Sequence, residues 1–306
     1  MRIVTQELPE FLSRELMPDF NPKTIYHYTT IKVLPEFMKD DGDLYCTHCR
    51  SLNDDEEFRL GLVYARNFIS RAYRAKSRAM LGFVNRFFRL YHDEWRQPWI
   101  MSFTTEKDSL VQWVSYSDKR NGGYAVGFDY SRLCNLTVKQ MHSCIDSFNI
   151  YLLPCLYLRH SCGRGSVEQD SRANKLLSFL LDQFADEFQD FVNNKETKNR
   201  NLIESLILLF ASMIKNASFK HECECRLVIQ PTNRESALEN YRIVGARPRL
   251  PSLMFPRLCK LHELITSIGI SPHGKYNVLR TAAELYADKY NHSFSVYKSK
   301  SPYNGL

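Results

Sequence analysis

Short β-branched and aromatic segments recur along the whole chain, and the strongest helical patterns fall between them. Strand-type runs occupy about 24–29, 44–46, 99–104, 124–128, 151–159, 223–230, 265–270 and 293–297. Such dispersed strands must be brought together from distant parts of the sequence. A doubly wound sheet would need regular strand–helix alternation and a G-x-G-x-x-G turn after the first strand, and neither is present. The pattern predicts an α+β fold with a mixed or antiparallel sheet, as a single domain over residues 1–306. Helical segments at about 58–95 and 170–217 are expected as insertions.

Those helical segments differ in kind. Between 170 and 217 two amphipathic stripes stand out. Leu176, Leu177, Leu180, Leu181, Phe184, Phe188 and Phe191 form one; Ile203, Leu206, Ile207, Phe210, Met213 and Ile214 form the other. Both match a core-facing helical face. The 58–95 segment carries Arg66, Arg71, Arg74, Lys76, Arg78, Arg86 and Arg89 around recurring aromatics. Its cations can form a solvated face, or can track a nucleic-acid backbone along 66–89. Shorter helices are expected at 8–16, 31–38, 276–290 and around Val111, Trp113, Val114 and Tyr116. Asn121-Gly122-Gly123 marks a turn.

The formal net charge of +7 is distributed rather than gathered in a tail, which weakly favours polyanionic or phosphorylated partners. Nine cysteines without compact spacing fit reduced thiols and a cytoplasmic setting better than a disulfide framework. The first residues lack the apolar run of a secretory leader, and no apolar stretch approaches the roughly 20 residues that span a bilayer, so no membrane is expected.

Several polar groups could carry chemistry. Cys46-Thr47-His48-Cys49 has C-x-x-C spacing, and His221, Cys223 and Cys225 could complete a zinc site. Without a second pair at finger spacing, buried thiols beside strands are the plainer reading. The acidic run Asp54-Asp55-Glu56-Glu57 could hold a divalent cation for phosphodiester cleavage. It also suits a helix N-terminus capped by Asn53 or Asp54, and no metal is expected. Glu222 and Glu224, two apart on a strand, share one face, which is uncommon in a buried sheet unless the carboxylates are paired or functional.

Five ordered blocks carry a family resemblance. They are Tyr26-His27-Tyr28-Thr29; Ser51-Leu52-Asn53-Asp54-Asp55-Glu56; and Ser102-Phe103-Thr104 with Trp113-Val114-Ser115-Tyr116 and Gly123 to Asp129. The last two are Lys215, Phe219 and Glu222-Cys223-Glu224-Cys225-Arg226, then Ser299-Lys300-Ser301-Pro302-Tyr303. Together they resemble the bacterial DUF2971 family. Departures are Asp55 where the family usually has Pro, Phe219 where an indole is common, and Ser301 where an aliphatic residue is usual.

The resemblance implies an ADP-ribosyltransferase-like fold with a split sheet, and a site of the His-Tyr-Glu type. By position His27 would be its first member, Tyr116 its second and Glu224 its third, with Glu222 as alternative or assistant. Tyr28, Thr29, Ser102, Glu222 and Arg226 would help hold NAD, the substrate. Arg226 can grip a pyrophosphate or simply pair with a glutamate on its own strand face. The implied activity is transfer of ADP-ribose to an unidentified macromolecular acceptor, or NAD hydrolysis, in a toxin or phage-defence setting. Two alternatives remain: a non-catalytic regulator binding nucleic acid or protein, and, as an outsider, a metal-dependent nuclease.

Overall fold

A computed structural model describes residues 19–39, 45–49, 55–72, 97–143, 148–159, 170–182, 200–242, 252–254 and 261–302, with single positions at 11, 14, 15, 17 and 52. Most of the expected helix at 8–16, Phe184, Phe188 and Phe191 of the first stripe, the caps Asn53 and Asp54, Tyr303 and most of the basic segment, from 73 to 89, lie outside the described residues.

The strands are β1 (Thr24–Thr30), β2 (Tyr45–His48), β3 (Trp99–Thr104), β4 (Gly123–Asp129), β5 (Phe148–Pro154), β6 (Leu156–Leu158), β7 (Ile214–Asn216), β8 (Glu224–Pro231), β9 (Tyr241–Arg242), β10 (Ser252–Met254), β11 (Ile265–Ile270) and β12 (Ser295–Lys298). The helices are α1 (Leu34–Met38), α2 (Asp55–Ala72), α3 (Leu110–Tyr116), α4 (Tyr130–Ser143), α5 (Ser171–Asp182), α6 (Arg200–Met213), α7 (Arg234–Asn240) and α8 (Tyr276–Lys289). The α+β class read from the sequence is the one the chain adopts. Residues 151–159 divide into two strands at Cys155, whose N–H bonds Glu224 O, and β6 then leaves to pair in parallel with β7. Helices α4 and α7 and strands β9 and β10 are additions to the sequence reading. The helical segment expected to run to 217 ends at Met213, where Ile214, read as part of its stripe, opens β7 to pair with β6.

The main sheet runs β12-β11-β4-β1-β3-β2-β10-β9, with β8 against β3 and β5 against β8. Its ladders are antiparallel except β11 with β12, so the sheet is mixed. Strand β3 is its node. Along one edge β8 pairs with it from Trp99↔Ile229 to Thr104↔Glu224. The other edge is divided: β2 meets Trp99 and Ile100, whereas β1 meets Thr104 alone, through Tyr26. Strands β1 and β2 therefore diverge from a shared neighbour.

Alternation sends successive side chains to opposite faces. Ile100, Tyr151, Leu153 and Val228 face a core built with α2, α5 and α6. Both stripes read at 170–217 supply that core, through Leu176, Leu177, Leu180, Leu206, Ile207 and Phe210. A Cβ on Gly61 of α2 would come 2.6 Å from the Ala211 Cα, so these two helices cross too closely for any side chain there. Trp99, Met101, Phe103, Leu227 and Ile229 face a second core with α1, α4 and α8. A third, small cluster of Tyr26, Tyr28, Trp113 and Ala125 seats α3 on the sheet. Among the described residues no helix is long and apolar enough to cross a membrane.

Candidate functional site

The chain enters β8 through a short 3-10 turn, Ala217–Glu222, that ends at Cys223 with φ of 44°. A left-handed non-glycine residue costs about 1 kcal/mol. It reverses the chain so that Glu222 and Glu224 lie close to Lys215. Opposite, Thr104 ends β3: its hydroxyl donates to Glu222 O at 2.6 Å and accepts from Glu106 N at 3.0 Å.

The register fixes which side chains can meet. Tyr26 pairs with Thr104, and Thr104 with Glu224, so these three form a row across β1, β3 and β8 on one face. Ser102 and Arg226, two residues away on their strands, share that face. Tyr116, half-buried, packs against the Tyr26–Tyr28–Trp113 cluster on the same side. His27 alternates to the other side, where its ring lies 5.9 Å from both Phe37 and Phe103. Tyr116 and Glu224 are thus brought to one face and His27 is not.

His27 is joined to that face through Ser102. Its Nδ1 lies 3.0 Å from Ser102 O, across the gap where β1 and β3 diverge. Burial lowers its pKa while this backbone bond opposes the shift, so the neutral ring with Nδ1–H as donor is the form that fits. The Ser102 hydroxyl then donates to Glu224 Oε1 at 2.6 Å.

Glu224 is 4% exposed and almost surrounded. Arg226 Nε donates to Oε1 at 2.7 Å and Nη2 to Oε2 at 3.4 Å, while Lys215 Nζ pairs with Oε2. The Glu224 N–H donates to the Tyr157 hydroxyl at 2.7 Å. Burial alone would raise this carboxyl, but Arg226 and Lys215 outweigh it and hold the pKa down to about 2. Arg226 spends Nη1 on Ser212 O at 2.9 Å and is itself 1% exposed, so it forms the Arg–Glu pair on its own strand rather than an open grip for phosphate. Glu222 is the more open carboxylate, its side chain 13% exposed with Oε2 2.7 Å from Lys215 Nζ. Two cations and two carboxylates make the cluster neutral. Glu222, expected on one strand face with Glu224, instead closes the 3-10 turn before β8, and the turn rather than alternation brings the two acids together.

Tyr28 is engaged elsewhere. Its hydroxyl donates to Glu106 O at 2.9 Å and accepts from Ser109 N at 2.8 Å, with its ring edge-on to Trp113 at 4.6 Å. Thr29 is buried in β1, opposite Tyr124. Tyr28 thus shapes the β3–α3 loop. Asp108, in that loop, accepts from Trp113 Nε1 at 2.7 Å, Ser299 Oγ at 2.5 Å and Lys300 N at 2.7 Å. The first, third, fourth and fifth of the sequence blocks therefore converge on one short loop.

Tyr26 and Thr104 stood in the sequence blocks without a role of their own, and Tyr157 and Asp108 were not singled out by sequence reasoning. Only register could place Tyr26 rather than His27 in line with Glu224, and only the β6–β7 pairing, Tyr157↔Lys215, brings Tyr157 beside the lysine. Asp108 had one local signal, its place just before Ser109, which caps α3 by accepting from Gln112 N. Among the described residues no group of three or more His, Cys, Asp or Glu stands together as a metal site. Cys46, Cys49 and Cys225 are buried free thiols and Cys223 is partly exposed.

Residues 112–227 match the model of a family described as a protein of unknown function, DUF2971. The matched stretch includes Tyr116, Glu222, Glu224 and Arg226, and it supports the resemblance read from the blocks. No curated protein and no solved structure matches.

Proposed function

We propose that the chain is an NAD-consuming enzyme of the ADP-ribosyltransferase-like type, working on the face that carries Tyr26, Tyr116, Glu222 and Glu224. The observation that carries this reading is a carboxylate held ionised on the same face as a half-buried tyrosine, where β1 and β2 part from β3. In that reading the divided edge of β3 is the split of an ADP-ribosyltransferase-like sheet.

The C1′–N bond of NAD breaks, its electron pair returns to the pyridinium nitrogen, and neutral nicotinamide leaves. An acceptor oxygen, from water or a macromolecular hydroxyl, bonds to C1′ and gives up its proton. Positive charge develops on the ribose, and a fixed anion lowers its energy. Glu224 is that anion in part only, because Arg226 and Lys215 offset its field. Glu222, more open and bound through one oxygen, takes the contact with the ribose. Tyr116 stacks on nicotinamide. His27 acts through Ser102, fixing the hydroxyl that orients Glu224.

The test is nicotinamide release from NAD by the pure chain, without and with candidate acceptors. Glu222→Gln and Tyr116→Ala should each lower turnover about 10- to 100-fold with the fold kept. A folded wild-type protein that releases no nicotinamide with any acceptor overturns the proposal.

One observation favours a second reading, a non-catalytic binding protein: Glu224 is met by Ser102, Lys215 and Arg226, as in a scaffold cluster. Such a protein would bind nucleic acid or an acidic partner through its 66–89 segment. Its affinity would fall steeply with salt and with Arg71, Arg74 and Arg78 changed to Glu, and Glu222→Gln would be silent.

A further inference from the structure

The loop between β3 and α3 makes few main-chain bonds of its own kind, and side chains hold it from several directions. Thr104 Oγ1 takes Glu106 N, Tyr28 takes Glu106 O and Ser109 N, and the Tyr297 hydroxyl of β12 donates to Lys107 O at 2.6 Å. The Lys107 ammonium lies over the Tyr297 ring, 4.4 Å from its centroid. Asp108 adds the attachment most distant in sequence. Its Oδ1 accepts from Trp113 Nε1, Ser299 Oγ and, at 3.2 Å, Ser301 Oγ; its Oδ2 accepts from Lys300 N. Ser301 N in turn donates to Ser299 Oγ at 3.1 Å, which closes the segment into a turn around the carboxylate.

Oδ1 of this carboxylate holds at once the indole of a fully buried tryptophan in α3, the helix that ends at Tyr116, and the Ser299 and Ser301 hydroxyls. Oδ2 holds the main chain just beyond β12. We infer that Asp108 is a positioning residue through which Ser299–Ser301 acts as a strap, holding α3 and Tyr116 in the shape that binds ligand. The consequence for catalysis rests on the function proposed above; the coupling between strap and helix does not.

The arrangement of acceptors makes the idea testable with one conservative change. Asp108→Asn can keep its amide oxygen toward Trp113, Ser299 and Ser301, but it presents an NH2 to the Lys300 N–H, two donors face to face. The strap loses its main-chain hold while the indole keeps its partner. Ligand affinity then falls in proportion to the fraction of molecules whose strap still holds.

Two readouts on the full chain decide the matter. In the absence of ligand, hydrogen exchange at Ser109 and at the Trp113 indole should speed about tenfold in Asp108→Asn and in Ser299→Ala, while the amides of β4 and β8 keep their protection. With NAD, Asp108→Asn should raise KM about tenfold and lower kcat much less, and Ser299→Ala should do the same more weakly. Loop exchange that is unchanged in both variants overturns the strap. So does faster exchange spread evenly over β4 and β8, which marks a purely structural residue, and so does a loss confined to kcat. If loop exchange responds but wild type releases no nicotinamide, the strap stands and the enzymatic reading falls. If NAD is turned over and Asp108→Asn alters neither KM nor loop exchange, the strap falls and the enzymatic reading stands.

Discussion

Glu224 and Asp108 are two ionised carboxylates at either end of the same loop region, and they are kept ionised by different means. Around Glu224 the answer is charge: Arg226 and Lys215, with one hydroxyl. Around Asp108 it is neutral donors: an indole, two hydroxyls and a main-chain N–H. In both, burial pushes the pKa up and the partners more than reverse it. The difference lies in what remains when the carboxylate is removed. At Glu224 the buried Arg226 loses its carboxylate and Lys215 keeps only Glu222; at Asp108 only neutral hydrogen-bond donors lose their acceptor.

The sharpest way to break this comparison is to neutralise each acid in turn. Glu224→Gln should destabilise the fold by about 3–5 kcal/mol, measured by denaturant unfolding, because the buried Arg226 loses its carboxylate and Lys215 is left with Glu222 in place of two carboxylates. Asp108→Ala should cost about 1–3 kcal/mol by the same measurement, the range for leaving neutral donors unmatched. Equal losses at the two sites would remove the distinction between charge pairing and neutral donation.

Acid titration sharpens it further. The folded Glu224 carboxyl titrates at about 2 against an ordinary 4.5, so its contribution is complete above pH 4.5 and drains away as pH falls toward 2. By linkage that contribution is about 3 kcal/mol. Asp108, also depressed, loses its contribution in the same direction, and Asp108→Asn should flatten the acid limb much less than Glu224→Gln. The smallest effect is expected from Ser301→Ala, which removes one hydroxyl donor 3.2 Å from Asp108 Oδ1: about 1 kcal/mol in the same unfolding experiment.

The helices were legible where an apolar stripe repeats, as in α5 and α6. The strands β1, β3, β4, β8 and β11 were legible from β-branched and aromatic runs. Helix α4 was legible but passed over: Tyr130, Leu133, Cys134, Val138 and Met141 recur at helical spacing. The short β9 and β10 were not legible, since two or three residues carry no period. At the site, the pairing of Glu222 with Glu224 announced that something must neutralise them, and Arg226 and Lys215 do. That His27 turns away from Glu224 was beyond reach, because face depends on register between strands that meet 75 and 122 positions apart in the sequence.

That long separation has a consequence for how the molecule is made. Strand β3 is complete by residue 104, yet it gains its full-length neighbour only when β8, beginning at residue 224, is available. Until then the edge that β8 will cover is an open ladder of N–H and C=O groups flanked by Trp99, Met101 and Phe103. Such an edge invites pairing with another chain, and closing so long a loop is slow relative to local helix formation. A nascent or partly refolded chain is therefore most vulnerable to association at β3, and a peptide copying β8 should compete with it there.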